Sequence, residues 1–166
     1  EVDRQQRLAA GKDQATEGER RAATNWPALL KGHAEALTLE KAGVRLEPGD
    51  RTVAKIPYLN SMIGPDRQKY VLAADDFIST LGLIRSGVSV PTAERENLMA
   101  TMFGVAGESD QTLKSKQSSR EVFLAAMQAM VGRSADDAGR LLAEAINRGQ
   151  INPTVLTSVQ IEPAIA

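Results

Sequence analysis

Cysteine is absent from the 166 residues, and histidine occurs once, at His33. Without thiols the chain holds no disulfide and no thiolate metal site. One imidazole makes no His-rich metal site, and a Cys–His nucleophilic pair is excluded. Aromatic residues are only 4% of the chain, against 42% hydrophobic residues overall. Such a core is built from Leu, Ala, Met and Val, which suits helix packing better than a β-sandwich. An excess of one charge is also missing, with 20 Lys and Arg against 21 Asp and Glu. Nucleic-acid binders draw most of their affinity from phosphate neutralisation, so this balance argues against tight DNA binding by the whole surface. No run approaches the roughly 20 apolar residues of a membrane span. No leader peptide is visible. The chain begins at Glu1 and not at Met, so it reads as a processed or partial polypeptide.

Catalytic motifs are missing as well. There is no G-x-S-x-G and no G-x-x-x-x-G-K-[ST]. Asp66, Asp75, Asp76 and Asp110 lack the alternation and central glycine of a calcium loop. Adjacent Asp75 and Asp76 point about 100° apart on a helix and cannot converge on one substrate atom. They read as solvated, or as paired with a neighbouring chain. Glu94, Glu96 and Glu121 each fit an exposed helix position, which leaves no carboxylate pair facing one cleft. The expectation is a protein without a catalytic residue, a cofactor or a small-molecule substrate.

What is present is helical patterning. Residues 1–24 are polar and charged, interrupted by Gly11 and Gly18, and read as a solvated or frayed arm, or else as a helix ordered only by a neighbouring subunit. Asn25-Trp26-Pro27 looks like a helix start, with Asn25 as cap and Pro27 in the first turn. Trp26, Leu29, Leu30, His33 and Leu37 then draw an apolar stripe that Gly43 ends. His33 reads as a packed core residue. Residues 44–64 form an irregular, extended connector around the Pro48-Gly49-Asp50 turn, with Pro57 opposing a sheet. Pro65 to Arg85 is the clearest helix. It carries Tyr70, Ala74, Phe77, Ile78, Leu81 and Ile84 on one face and stops at Gly87. Thr92 is placed to cap a short helix to Phe103, with Leu98, Met99, Met102 and Phe103 inward. Ser109 or Asp110 caps the next. Its first half is basic with Lys114, Lys116 and Arg120, and its second half is apolar. Ser134-Ala135-Asp136-Asp137 resembles a capping box before a helix that Gly149 stops. The tail, 150–166, is apolar and non-helical, with Leu156 and Ile161 as candidate contacts to a partner or to the helices. The fold class expected is mainly α, a small antiparallel assembly of about five helices over 25–149.

Certain landmarks occur in a telling order. Ala34-Glu35-Ala36-Leu37-Thr38-Leu39-Glu40-Lys41-Ala42-Gly43 comes first, then Gln68-Lys69-Tyr70-Val71-Leu72-Ala73-Ala74-Asp75-Asp76-Phe77-Ile78. Arg85-Ser86-Gly87-Val88-Ser89-Val90 precedes Glu94, and Gly107-Glu108-Ser109 precedes Lys116, Arg120 and Ala125-Ala126-Met127. Over residues 28–132 this order resembles the internal virion, or DNA-ejection, proteins of tailed bacteriophages, mainly short-tailed ones. The resemblance implies a non-enzymatic virion component near the portal–tail axis that leaves with the DNA and helps form a conduit across the host envelope. It implies homo-oligomers, contacts with portal, tail or sister ejection proteins, and transient contact with genomic DNA. Candidate interaction residues are Trp26, Lys114, Lys116, Arg120, Leu156 and Ile161. Two other readings stand beside it. One is a nucleic-acid-binding module using Arg4, Arg7, Lys114, Lys116 and Arg120. The other is an accessory domain of a larger lytic enzyme whose active site lies outside these residues.

Overall fold

The computed structural model describes residues 15–47, 49–50, 63–149 and 151. Among these residues the protein is mainly α. Five helices appear in order: α1 (Glu17–Lys41), α2 (Pro65–Ser86), α3 (Thr92–Met102), α4 (Asp110–Val131) and α5 (Ala135–Asn147), with a short 3-10 turn at Gly132–Ser134 before the last. The expected helical class is therefore what the described chain adopts. The arm before Ala15 and the tail with Leu156 and Ile161 lie outside the described residues, as does most of the connector.

The first helix starts earlier than its sequence implies. Thr16, and not Asn25, is the N-cap. Its Oγ1 accepts the Glu19 N–H at 3.2 Å, and its own N–H donates to Glu19 Oε2 at 2.6 Å. This reciprocal capping box satisfies two otherwise orphaned donors, which outweighs the helix cost of Gly18. Residues 17–24 are thus helix and not arm. Asn25 lies inside the helix, where its amide donates to the Arg21 carbonyl at 2.9 Å. Pro27 also lies inside the helix and not in its first turn. At the far end Gly43 takes φ 85°. Its N–H donates to the Glu40 carbonyl at 3.0 Å, and the Val44 N–H reaches Leu39 O at 2.9 Å. That is a Schellman stop, and Val44 and Leu39 both pack on the core beside it.

The remaining ends divide between expectation and correction. Gly87 closes α2 at φ 74°, and Ser109 caps α4 by accepting the Thr112 N–H at 3.2 Å. Thr92 is not a cap. It is the first residue of α3, Pro91 precedes it, and no side chain caps the start. Ser134 likewise makes no capping bond, because the chain turns through the 3-10 segment there and leaves its hydroxyl buried. In the connector, Leu46 makes an isolated parallel bridge to Val105. The Leu46 N–H donates to Gly104 O and its carbonyl accepts the Ala106 N–H, both at 2.8 Å.

Helix α1 is the hub, packed against α2, α4 and α5. The stripes expected on α1 and α2 are the core: Trp26, Leu29, Leu30 and Leu37 meet Tyr70, Phe77, Ile78, Leu81 and Ile84. The two helices cross closely at Gly32. A Cβ there would lie 3.1 Å from the Ala73 carbonyl and 3.2 Å from Phe77 Cβ. Phe77 is fully buried and stands edge-on to Phe103, with centroids 5.7 Å apart. Phe77→Ala is expected to cost about 3–5 kcal/mol in urea denaturation, since the cavity forms at the tightest contact. A loss below ~0.5 kcal/mol would show that the crossing is not the core.

Candidate functional site

By sequence the basic half of α4 reads as a solvated face, with phosphate contact as the alternative. The helix does not present it that way. Leu113, Lys116, Arg120, Leu124, Met127 and Val131 are all buried. Their three- and four-residue spacing is one continuous inward stripe, and two cations occupy places where an apolar residue is usual. Lys114, by contrast, is exposed. Trp26 belongs to the core cluster and offers no surface for a partner. Lys116, Arg120 and Trp26 are therefore corrected from candidate contacts to internal residues.

Arg120 is the centre of a buried polar cluster. Its Nη2 donates to Glu40 Oε2 at 2.6 Å and its Nη1 to Glu40 Oε1 at 3.0 Å. This two-pronged pairing matches the guanidinium fork to a carboxylate. Nη1 also donates to the Met102 carbonyl, and Nε to His33 Nδ1 at 3.2 Å. The guanidinium lies 4.7 Å from the Phe103 ring centroid, a cation–π contact. Glu40 is satisfied from two further sides, by the Tyr70 hydroxyl at 2.5 Å and the Gln117 amide at 2.9 Å. Tyr70 in turn accepts the Gly104 N–H at 2.8 Å. Helices α1, α2 and α4 and the end of α3 thus meet at one ion pair, with both side chains at 0% exposure.

Burial and charge fix the protonation states. Burial pushes the Glu40 carboxyl up, but the Arg120, Tyr70 and Gln117 donors together outweigh it and hold the group below its ordinary value. Burial and the adjacent Glu40 charge drive the Tyr70 phenol up, so it stays protonated and donating. Burial first, then Arg120, pulls His33 down to about 3. His33 is therefore neutral, with Nδ1 accepting from Arg120 and the proton on Nε2. This confirms its reading as a packed residue. Every ionisable member of the cluster is held by another member, so the arrangement does the work of a lock between helices.

Lys116 makes a second fastening one turn away. Its ammonium donates to the Ala100 carbonyl at 2.5 Å, to Phe103 O at 3.0 Å and to Glu108 Oε1. The last carbonyls of a helix lack intrahelical partners and favour cations. Lys116 and Arg120 supply that role for α3 from the neighbouring helix. Burial raises the Glu108 carboxyl, but Lys116 and the Val105 N–H outweigh this and hold it below its ordinary range. Asp75, expected to be solvated or paired with another chain, pairs within its own chain to Arg95 at 3.2 Å, while Asp76 is exposed. Among the described residues no group of three or more acidic or histidine side chains is placed to hold a metal ion, and no helix is long and apolar enough to cross a membrane.

Among the described residues the outer face of α4 is open to a partner, as are Leu72 and Leu83 of α2 and Val88 beyond it. At about 100° per residue, Ser115, Ser118, Val122, Ala125, Ala126 and Ala129 fall along one line. All six are exposed, and none is charged. Val122 keeps 66% of its surface and Met130, beside this line, 38%. The sequence pointed to α4 but to the wrong side of it. The misleading signal was residue type, since Lys116 and Arg120 look like surface residues. The usable signal was phase, since both stand in step with Leu124, Met127 and Val131.

Arg120→Met strands Glu40 in the core and is expected to cost about 3–5 kcal/mol in denaturant unfolding. Lys114→Met is expected to stay within about 0.5 kcal/mol. A small effect of the first would remove the ion pair from its central place. Acid sensitivity follows from His33. Its folded value lies below the ordinary 6.5, so the unfolded chain takes up the proton first and stability falls as pH drops below 6.5. By linkage the loss from pH 7 to pH 5 is about 2 kcal/mol. Glu40, depressed in the folded state, adds a further loss at lower pH as its carboxylate protonates. His33→Gln is expected to flatten the curve between pH 5 and 6.5, and an unchanged slope would assign it to other groups.

The chain matches no protein family, no curated protein and no solved structure with which it was compared.

Proposed function

We propose that the chain is a non-enzymatic structural component of a tailed-phage particle, of the internal or DNA-ejection class. In this reading it works by helix-mediated assembly with copies of itself and with neighbours along the portal–tail axis. The observation that carries the assembly part is the uncharged outer face of α4 with its exposed Val122 and Met130. A helix whose inner face is already packed and whose outer face carries no charge can seat a second helix there. The phage assignment rests on the ordered landmarks between residues 28 and 132. They coincide with structural joints. Glu40 and Gly43 sit at the end of α1, Tyr70 and Phe77 at its crossing with α2, Gly87 at the α2 stop, and Glu108 with Lys116 at the fastening of α3.

A nucleic-acid role is disfavoured by the same geometry, since Lys116 and Arg120 are committed inside the protein.

Mass spectrometry of purified particles before and after triggered DNA release tests the assignment. Presence in full particles and loss from emptied ones is expected, and absence from both sinks it. Sedimentation of the purified chain tests assembly separately. Self-association that Val122→Lys with Ala126→Lys abolishes is expected. A strict monomer at high concentration rejects assembly through copies of the chain.

A further inference from the structure

The geometry points to α3, with its leading link from Val88, as a strap that opens on its own while α1, α2 and α4 stay packed. This stands apart from any role in a phage.

Three observations carry it. First, the strap is thinly anchored. Of the eleven residues of α3 only Met99 and Met102 are buried, no side chain caps its start, and Val88 ahead of it keeps 64% of its surface. Its main packing is against α2 and α4. Second, its attachment to α2 rests on two points. Arg95 reaches Asp75 at 3.2 Å and the Val90 carbonyl at 3.3 Å, while its buried Nε finds no partner among the described residues. A buried N–H without a partner subtracts from the stability of the closed form. At the other point Val90 lies over Gly82 so closely that a Cβ on Gly82 would stand 2.2 Å from Val90 Cγ2. Third, the strap has a fixed hinge on each side. Gly87 holds a left-handed turn at the start. At the end Phe103 is fully buried, the Gly104 N–H is bound to Tyr70, and the Gly104 carbonyl is bound to Leu46. The segment as far as Thr101 lifts without disturbing the Glu40–Arg120 pair, because Met102, whose carbonyl is bound to Arg120, stays with the hinge. Its catch is the Lys116 bond to the Ala100 carbonyl, and opening breaks that bond while Lys116 keeps Phe103 O and Glu108. What opening uncovers is the strip of α2 between Asp75 and Gly82.

Segments with few buried contacts open at lower free energy than the core around them. The test is native-state hydrogen exchange of the full chain, read by mass spectrometry over residues 93–101 and over residues 29–37 of α1. In the unmodified protein the strap is expected to exchange at least ~10-fold faster than α1, with little dependence on low urea, as a local opening does. Gly82→Ala separates strap from core. Alanine favours the α2 helix but pushes Val90 off its seat, so strap exchange is expected to rise while α1 exchange stays level or falls. Equal rates for the two segments in the unmodified protein would overturn the strap. So would a Gly82→Ala change of the same factor in both.

Discussion

One guanidinium–carboxylate contact decides how this protein is put together. Taking Arg120 and Glu40 out of water is costly, and neither is tolerable inside without the other. The surrounding groups follow from that cost. Tyr70, Gln117, His33 and the Met102 carbonyl each fill a hydrogen-bonding position that the pair would otherwise leave empty. Each comes from a different part of the chain, so satisfying the pair positions α1, α2, α4 and the end of α3 at once. The apolar core supplies most of the driving force. The pair specifies which arrangement of that core is acceptable, because a slip of α4 by one turn would place Leu124 or Lys116 opposite Glu40.

The helices were legible because they follow apolar phase, and phase survives without any partner. The stops at Gly43, Gly87 and Gly149 and the Ser109 cap were legible for the same local reason. What was not legible depended on distant residues. Nothing near Arg120 announces Glu40, and composition favours the solvent for an arginine. Thr16 was hidden by Gly18, whose helix cost is small beside a reciprocal capping box. Thr92 and Ser134 looked like caps by type, but the chain enters those helices through Pro91 and through a 3-10 turn. The outer face of α4 was legible only in part. Its uncharged character is in the sequence, but deciding which side faces outward required knowing that two cations face in.

The fastening of α3 illustrates a wider economy. A short helix with one carboxylate in its first turn, no basic residue in its last and no capping side chain has little stability of its own. Its C-terminal carbonyls are served instead by Lys116 and Arg120 of α4. The helix is in this sense a dependent of its neighbour, and the same two side chains that frustrate a surface reading explain why it exists at all.

Glu40 and Arg120 are separated by 80 positions. On a ribosome α1 emerges long before α4, and until then Glu40 has no guanidinium and must remain hydrated. The first three helices cannot close their core around a bare carboxylate. Commitment therefore comes late and in one event, when α4 is delivered, and contacts of such long range make that event slow.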